Sequence, residues 1–259
     1  MTEVQKLQLD LLICLDDVCR KNNLVYYLAY GSCIGAVRNK GFIEWDHDID
    51  VLMPYDHAMK LLLLQNSIGN NMFVSSYRTD INNKTIELML VDKGHRCLVT
   101  DKNKSRRETY LSIDIYPLYN CPSNKVTLLL NIWRSHIYKI LVGGVPQNHG
   151  KIMQILGRLI LLFCPLRKRE SAITKIEEHL NYKGRSDCVA DYFGKDISLC
   201  NAITYKKEWF STPSLLEFEG RMFYGPTDPD KYLTKRYGDY MTPLSPEERA
   251  DEDKIELIS

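Results

Sequence analysis

The sequence predicts an α/β (α+β) fold: a mixed sheet core with flanking helices and a helical insertion. Three observations predict it. An amphipathic helical pattern opens the chain, short apolar strands carrying isolated acidic residues follow as far as about residue 122, and a strongly apolar helical stretch occupies 124–165. With 259 residues and 44% hydrophobic composition, the chain can bury one large core or a core with a helical appendage. The pattern divides it into a core over 1–122, a helical insertion over 123–183, and a segment over 184–259 that returns to complete the core. A net charge of +1 lacks the basic excess of a general nucleic-acid binder, so no nucleic-acid partner is expected.

The elements follow in order. Thr2-x-x-Gln5 reads as a capping box, after which Val4, Leu7, Leu11, Cys14, Leu15 and Val18 fall on one helical face. Residues 24–29 read as a strand running through Gly31-Ser32 into the short apolar run 33–37. Asp48-Ile49-Asp50 then opens a buried strand that continues through Val51, Leu52 and Met53. Residues 56–65 read as a helix whose Met59 and 61–64 leucine run are too apolar for a free surface. A hairpin is expected from 72–77 and 85–91, joined by the polar segment 80–84. Lys102, Lys104, Arg106 and Arg107 make 101–108 a basic loop, read as solvated. Residues 110–118 are a strand in which Asp114 stands between Ile113 and Ile115.

The apolar stretch 124–165 breaks near Gly143-Gly144-Val145-Pro146, and its second part, 152–166, has too few apolar residues to cross a bilayer. Arg167, Lys168 and Arg169 follow it, which allows a peripheral contact with an anionic membrane surface; a helical subdomain packed on the core is the plainer expectation. A more exposed helix is expected over 171–180, and Gly238 suits the C-terminal cap of a last helix.

The chemistry concentrates in residues 30–54. In a strand, residues i and i+2 face the same side, so Asp48 and Asp50 present two carboxylates together. Such a pair repels itself unless a cation intervenes, and hard oxygen ligands suit Mg²⁺ or Mn²⁺. A strand entering a helix through Gly31-Ser32 presents free N–H groups and the positive end of the helix dipole, which suits phosphate; the same pair also makes an ordinary helix cap. Asp114, an acid in an apolar strand, needs a partner, because a buried unpaired carboxylate is costly.

The run 27–53 resembles the LicD/fukutin family, a branch of the DNA polymerase beta-like nucleotidyltransferase superfamily. Gly31, Ser32, Gly35, Ala36, Arg38, Gly41, Phe42, Ile43, Trp45, Asp46, Asp48 and Asp50 stand at the places of its signature. Two positions depart from it: Glu44 replaces the usual proline, which leaves the path of the loop unset, and His47 replaces a common second aspartate. The resemblance extends from about residue 7 to about 246, through a Trp-Phe pair at Trp209-Phe210, Phe218-Glu219-Gly220, and a helix with Tyr232 ending in Tyr237-Gly238-Asp239.

The resemblance implies a nucleotidyltransferase-like sheet and transfer of a phospho-alcohol such as phosphocholine, from its CDP-activated form to a sugar hydroxyl of a glycan or lipid-linked saccharide. Asp48, Asp50 and Asp114 are then the catalytic and metal-binding set, with Mg²⁺ or Mn²⁺ as cofactor. Gly31, Ser32, Arg38, Asp46 and Tyr237 are the substrate-binding set; Trp209, Tyr232 and Tyr237 either pack or wall the donor pocket. Two alternatives stay open: a nucleotidyltransferase using a nucleoside triphosphate, and a non-catalytic glycan-assembly factor of the same fold. Eight scattered cysteines without a C-x-x-C pair, and no secretory signal at the start, predict reduced thiols and a cytoplasmic protein, with peripheral contact to the inner face of the membrane allowed.

Overall fold

A computed structural model describes residues 1–65, 68–69, 71–79, 86–100, 104–145, 150–193, 203–245 and 254–258. The chain forms two compact units, one of Met1–Val74, Met89–Tyr116 and Glu208–Ser259, the other of Ser75–Leu88 and Pro117–Lys207.

The first unit begins with α1 (Glu3–Lys21), β1 (Tyr27–Leu28), α2 (Tyr30–Asn39), β2 (Asp50–Pro54), α3 (Tyr55–Leu62) and β3 (Met72–Ser75). It continues through most of β4 (Leu88–Thr100) and of β5 (Arg106–Cys121). Its sheet has the order β1-β2-β5-β4, and β3 also pairs with β4. β1 and β2 are antiparallel, with Tyr27 opposite Leu52 and Leu28 opposite Val51. Val51, Leu52 and Met53 are all buried, as expected of a strand covered on both faces.

The capping box at the start of α1 is complete: Thr2 Oγ1 accepts from Gln5 N–H and Gln5 Oε1 accepts from Thr2 N–H. Leu11, Leu15 and Val18 are buried as the periodicity predicts, but so are Gln5 and Gln8. The predicted strand over 24–29 shortens to two residues because its first half bonds elsewhere. Leu24 N–H donates to Cys19 O, and Val25 N–H to His57 Nδ1. In the 61–64 run Leu61 is buried, whereas Leu63, just past the end of α3, is 83% exposed. Of the predicted hairpin, β3 and β4 pair, while 80–85 lies outside the described residues. Arg106 and Arg107 belong to β5 rather than to a loop, and Arg96 of β4 pairs with Glu108 of β5.

The second unit holds α4 (Lys125–Gly143), α5 (Gly150–Phe163), α6 (Leu166–Leu180), β6 (Cys188–Ala190) and β7 (Thr204–Lys206). β6 pairs antiparallel with the end of β5 and with β7. Asn124 caps α4, its side chain accepting from the N–H groups of Val126 and Thr127. The helix predicted over 171–180 starts earlier, at Leu166, where Pro165 provides a preset entry. Glu177 of α6 organises the buried polar interior of this unit: it accepts from Tyr138 Oη at 2.9 Å and Tyr77 Oη at 3.1 Å, and pairs with Arg78. Glu177→Ala removes the acceptor of the buried Tyr138 hydroxyl and the ion-pair partner that Glu177 gives Arg78. The expected loss is about 3 to 5 kcal/mol, read by urea denaturation. A loss under about 1 kcal/mol would show that the cluster contributes little.

The chain returns to the first unit through a 3-10 turn at Lys207–Phe210, the hairpin β8 (Ser214–Phe218) and β9 (Arg221–Gly225), α7 (Pro229–Tyr237) and β10 (Lys254–Ile258). β10 lies antiparallel on β4 and extends the sheet. Glu219 and Gly220, at the hairpin tip, both have positive φ (49° and 74°), the backbone of a two-residue type I′ turn. Gly238 caps α7 with φ 69°, as predicted. None of the described cysteines is disulfide-bonded. Among the described residues no helix is long and apolar enough to cross a membrane.

Candidate active site

The site is built where β1 hands the chain to α2. Ala29 occupies the N-cap, and the left-handed residue at this junction is Tyr30, with φ 47°. A bulky side chain pays for that conformation, on the order of 1 to 3 kcal/mol, and holds it only when its surroundings over-determine it. Here they do. Tyr30 N–H donates to Tyr232 Oη, its ring meets Tyr116 edge-on at 5.2 Å, and the Arg236 guanidinium lies over the ring, 4.3 Å from its centroid.

Gly31 and Ser32 therefore lie inside the first turn of α2, and both face the acidic loop. A Cβ at position 31 would overlap the Asp46 carboxylate, so only glycine admits that carboxylate beside the helix N-terminus. Ser32, 3% exposed, accepts at Oγ from Asp50 N–H at 2.9 Å, while Ala29 N–H donates to Asp50 O. The two residues expected to cradle phosphate thus also tie down the loop that leads into β2.

Three braces that the sequence did not reveal hold the rest of that loop. Gln5 Nε2 donates to Asp46 O at 2.9 Å and Gln8 Nε2 to His47 O at 2.7 Å, so α1 holds two successive carbonyls. Gln5 serves at once as the capping-box acceptor and the loop donor. From the other end of the sequence, Glu219 accepts from Phe42 N–H at 3.0 Å and donates its own N–H to Lys40 O. A Cβ at Gly41 would overlap the Glu219 carboxylate, and one at Gly35 would overlap Gly41 O, which accounts for two further glycines of the 30–54 stretch. The only sequence signal for the two glutamines is that they interrupt an otherwise apolar helical face.

Asp114 N–H donates to Ile49 O at 2.9 Å, which fixes the Asp114 backbone beside 48–50. Ile49, Val51, Ile113 and Ile115 are buried, whereas Asp50 and Asp114 are half-buried, so by strand alternation both acids turn away from the core face of their neighbours. Asp48 precedes β2 and is exposed. Among the described residues no three His, Cys, Asp or Glu side chains converge closely enough to hold a metal ion on their own. The donor set nonetheless suits Mg²⁺, which takes one or two carboxylates and completes its shell with water and substrate phosphate oxygens. Two buried polar atoms beside the loop, Gln8 Oε1 and His47 Nδ1, have no partner among the described residues.

Arg38 lies further off. Seven residues past Gly31, Arg38 falls on the same face of α2 about 10 Å along the axis. Its guanidinium bonds Asn39 Oδ1 and Tyr240 O. Tyr240 donates to Asp230 Oδ1 at 2.9 Å, and burial, followed by that carboxylate, pushes its phenol up to about 12. Tyr237, at the end of α7, is 43% exposed, with Arg236 5.5 Å from its ring centroid. Tyr232 is fully buried and packs against Phe210; Trp209 is half-buried, with a buried Nε1 that has no partner among the described residues. The structure thus gathers Gly31, Ser32, Asp46, Asp48, Asp50 and Asp114 around one loop, places Arg38 toward the far end of α2, and sets Tyr237 in α7 beside the Arg236 that covers the Tyr30 ring. Cys33, in the middle of the motif, is buried, and that burial pushes its thiol up, which makes it a packing residue.

Residues 23–139 match the model of the LicD/FKTN/FKRP nucleotidyltransferase domain. The chain is 26% identical over 264 residues to the lipopolysaccharide cholinephosphotransferase LicD of Haemophilus influenzae, an alignment covering 96% of this chain and 93% of that protein. The matched domain contains the acidic loop, β2 and Asp114.

Proposed function

We propose that this chain, a LicD-family protein through its domain at residues 23–139, moves a phospho-alcohol unit from a CDP-activated donor to a sugar hydroxyl of a cell-surface glycan. Phosphocholine is the first choice of unit, supported by the name of the Haemophilus relative, which also supports a saccharide acceptor. One observation supports the reading above the others: Asp114 N–H donates to Ile49 O, so the backbone of Asp114 runs beside the segment that carries Asp48 and Asp50.

Asp48, Asp50 and Asp114 would hold Mg²⁺ or Mn²⁺ together with the donor's diphosphate. When bound, the ion neutralises charge on the diphosphate and on the departing CMP. The first-turn N–H groups of α2 favour the same anion, and Gly31 and Ser32 keep the acidic loop against that turn. Asp114 takes the proton of the acceptor hydroxyl. The sugar oxygen bonds to the phosphorus of the phospho-alcohol, and the bond from that phosphorus to the CMP oxygen breaks. Asp46, Arg38 and Tyr237 complete the substrate-binding set, with Arg38 adding positive charge and Tyr237 an aromatic face for the base or the choline ammonium. Gln8 Oε1 and His47 Nδ1 would gain partners from ordered water or donor.

The test is calorimetric titration of CDP-choline with and without Mg²⁺. Affinity is expected to rise at least about tenfold with the ion, and the gain to vanish in Asp50→Ala, as metal-bridged binding requires. Equal affinity in both conditions would sink the metal assignment. Gln8→Leu checks the brace separately. It removes the donor to His47 O together with its own orphaned Oε1, so stability should change by less than about 1.5 kcal/mol. kcat/KM should fall about tenfold or more as the loop loosens. Unchanged kinetics would show that α1 does not position the loop.

A further inference from the structure

We infer that the exposed apolar faces of α4 and α5, with the basic side chains around them, dock this protein on an anionic lipid surface. On α5, Ile155, Leu159, Leu162 and Phe163 are 55%, 44%, 73% and 82% exposed, and Leu166, the first residue of α6, is 77% exposed. Their spacing places them along one side of the helix. α4, which packs against α5, exposes a second stripe at Val126, Leu129, Leu130 and Trp133 with the same spacing. A helix on a water-facing surface normally turns charged residues outward, so two apolar faces on neighbouring helices mark an interaction surface.

The charge of the region selects the occupant. Residues 125–169 contain eight Lys and Arg and no Asp or Glu, in a chain whose totals are nearly balanced at 34 and 33. A second copy docking through the same face would set this basic surface against itself, which like-charge repulsion opposes. Anionic headgroups satisfy it. Lys151, Arg158, Arg167 and Lys168 are exposed, and their stems are long enough to reach headgroups while the apolar residues enter the interface. α5 has 14 residues, about 21 Å of helix, so it lies in the plane of the membrane and does not cross it. The docking needs no catalytic assignment. It deepens the proposed transfer by giving the enzyme a route to a lipid-linked acceptor, and its test reads binding without turnover, so either can fail alone.

The test is co-sedimentation of the full chain with vesicles of phosphatidylcholine alone, or with about a third phosphatidylglycerol. Binding is expected to be at least about tenfold stronger on the anionic vesicles and to weaken with salt. The triple variant Arg158→Gln, Arg167→Gln, Lys168→Gln should lose about a hundredfold on anionic vesicles, about fivefold per charge. The double variant Leu162→Ser, Phe163→Ser should bind less to both kinds of vesicle while keeping its melting temperature. No preference for anionic lipid, or no binding, overturns the proposal. So does a wild-type dimer in sedimentation velocity that the double variant abolishes, because the face then belongs to a second copy.

Discussion

Asp50→Asn is expected to lower turnover about a thousandfold or more, the cost of roughly 4 kcal/mol of lost charge stabilisation in phosphoryl transfer. The substitution removes a charge at the mouth of α2 and keeps the backbone bonds. Asp50 N–H still donates to Ser32 Oγ, Asp50 O still accepts from Ala29 N–H, and the side chain keeps its shape. Circular dichroism and the melting temperature should therefore match the wild type. Retained turnover in a folded Asp50→Asn protein would remove Asp50 from the mechanism.

Gly31→Ala is expected to have the next largest effect, and by a different route. The added methyl group overlaps the Asp46 carboxylate, which Gln5 holds from behind through the Asp46 carbonyl. Something must move, and the acidic loop is the part that can. Its displacement moves Asp48 and Asp50 and pulls on the Ile49 carbonyl that holds Asp114 N–H. A misplacement on the order of 1 Å costs about a hundredfold in rate, so kcat/KM should fall by about that factor with a smaller loss of stability. Recovery of the lost stability, read by melting temperature, on adding Asp46→Ala, which frees the space, would confirm the steric route. If Gly31→Ala has wild-type kinetics, the glycine does not set the loop.

Much of this site was legible in the sequence because its signals are local. The Asp-x-Asp at the head of an apolar run, the lone Asp114 between isoleucines, the Thr2-Gln5 capping box and Gly238 past a helical pattern each depend on neighbours within a few residues. What escaped depends on distant partners. Glu219 meets Phe42 across 177 residues, and Gln8 meets His47 across 39. Nothing near any of these residues announces the other. The Gly31-Ser32 pair misled for a related reason. It looks like the turn itself, but the left-handed conformation falls on Tyr30, held there by Tyr232, Tyr116 and Arg236 from elsewhere in the chain. The short β1 follows the same logic: the sequence shows apolar residues over 24–29, while the partner of Val25 N–H, His57, lies in α3.

The most direct test of the proposed transfer is phosphorus NMR of the purified protein with Mg²⁺ and CDP-choline, CDP-ribitol, CDP-glycerol or nucleoside triphosphates in turn, with and without candidate glycans. CMP release from one CDP-alcohol is expected, dependent on Mg²⁺ and accelerated by an acceptor, with CDP-choline the first expected donor. Pyrophosphate release from a nucleoside triphosphate, with every CDP-alcohol left intact, would contradict it and make the reaction nucleotidyl transfer.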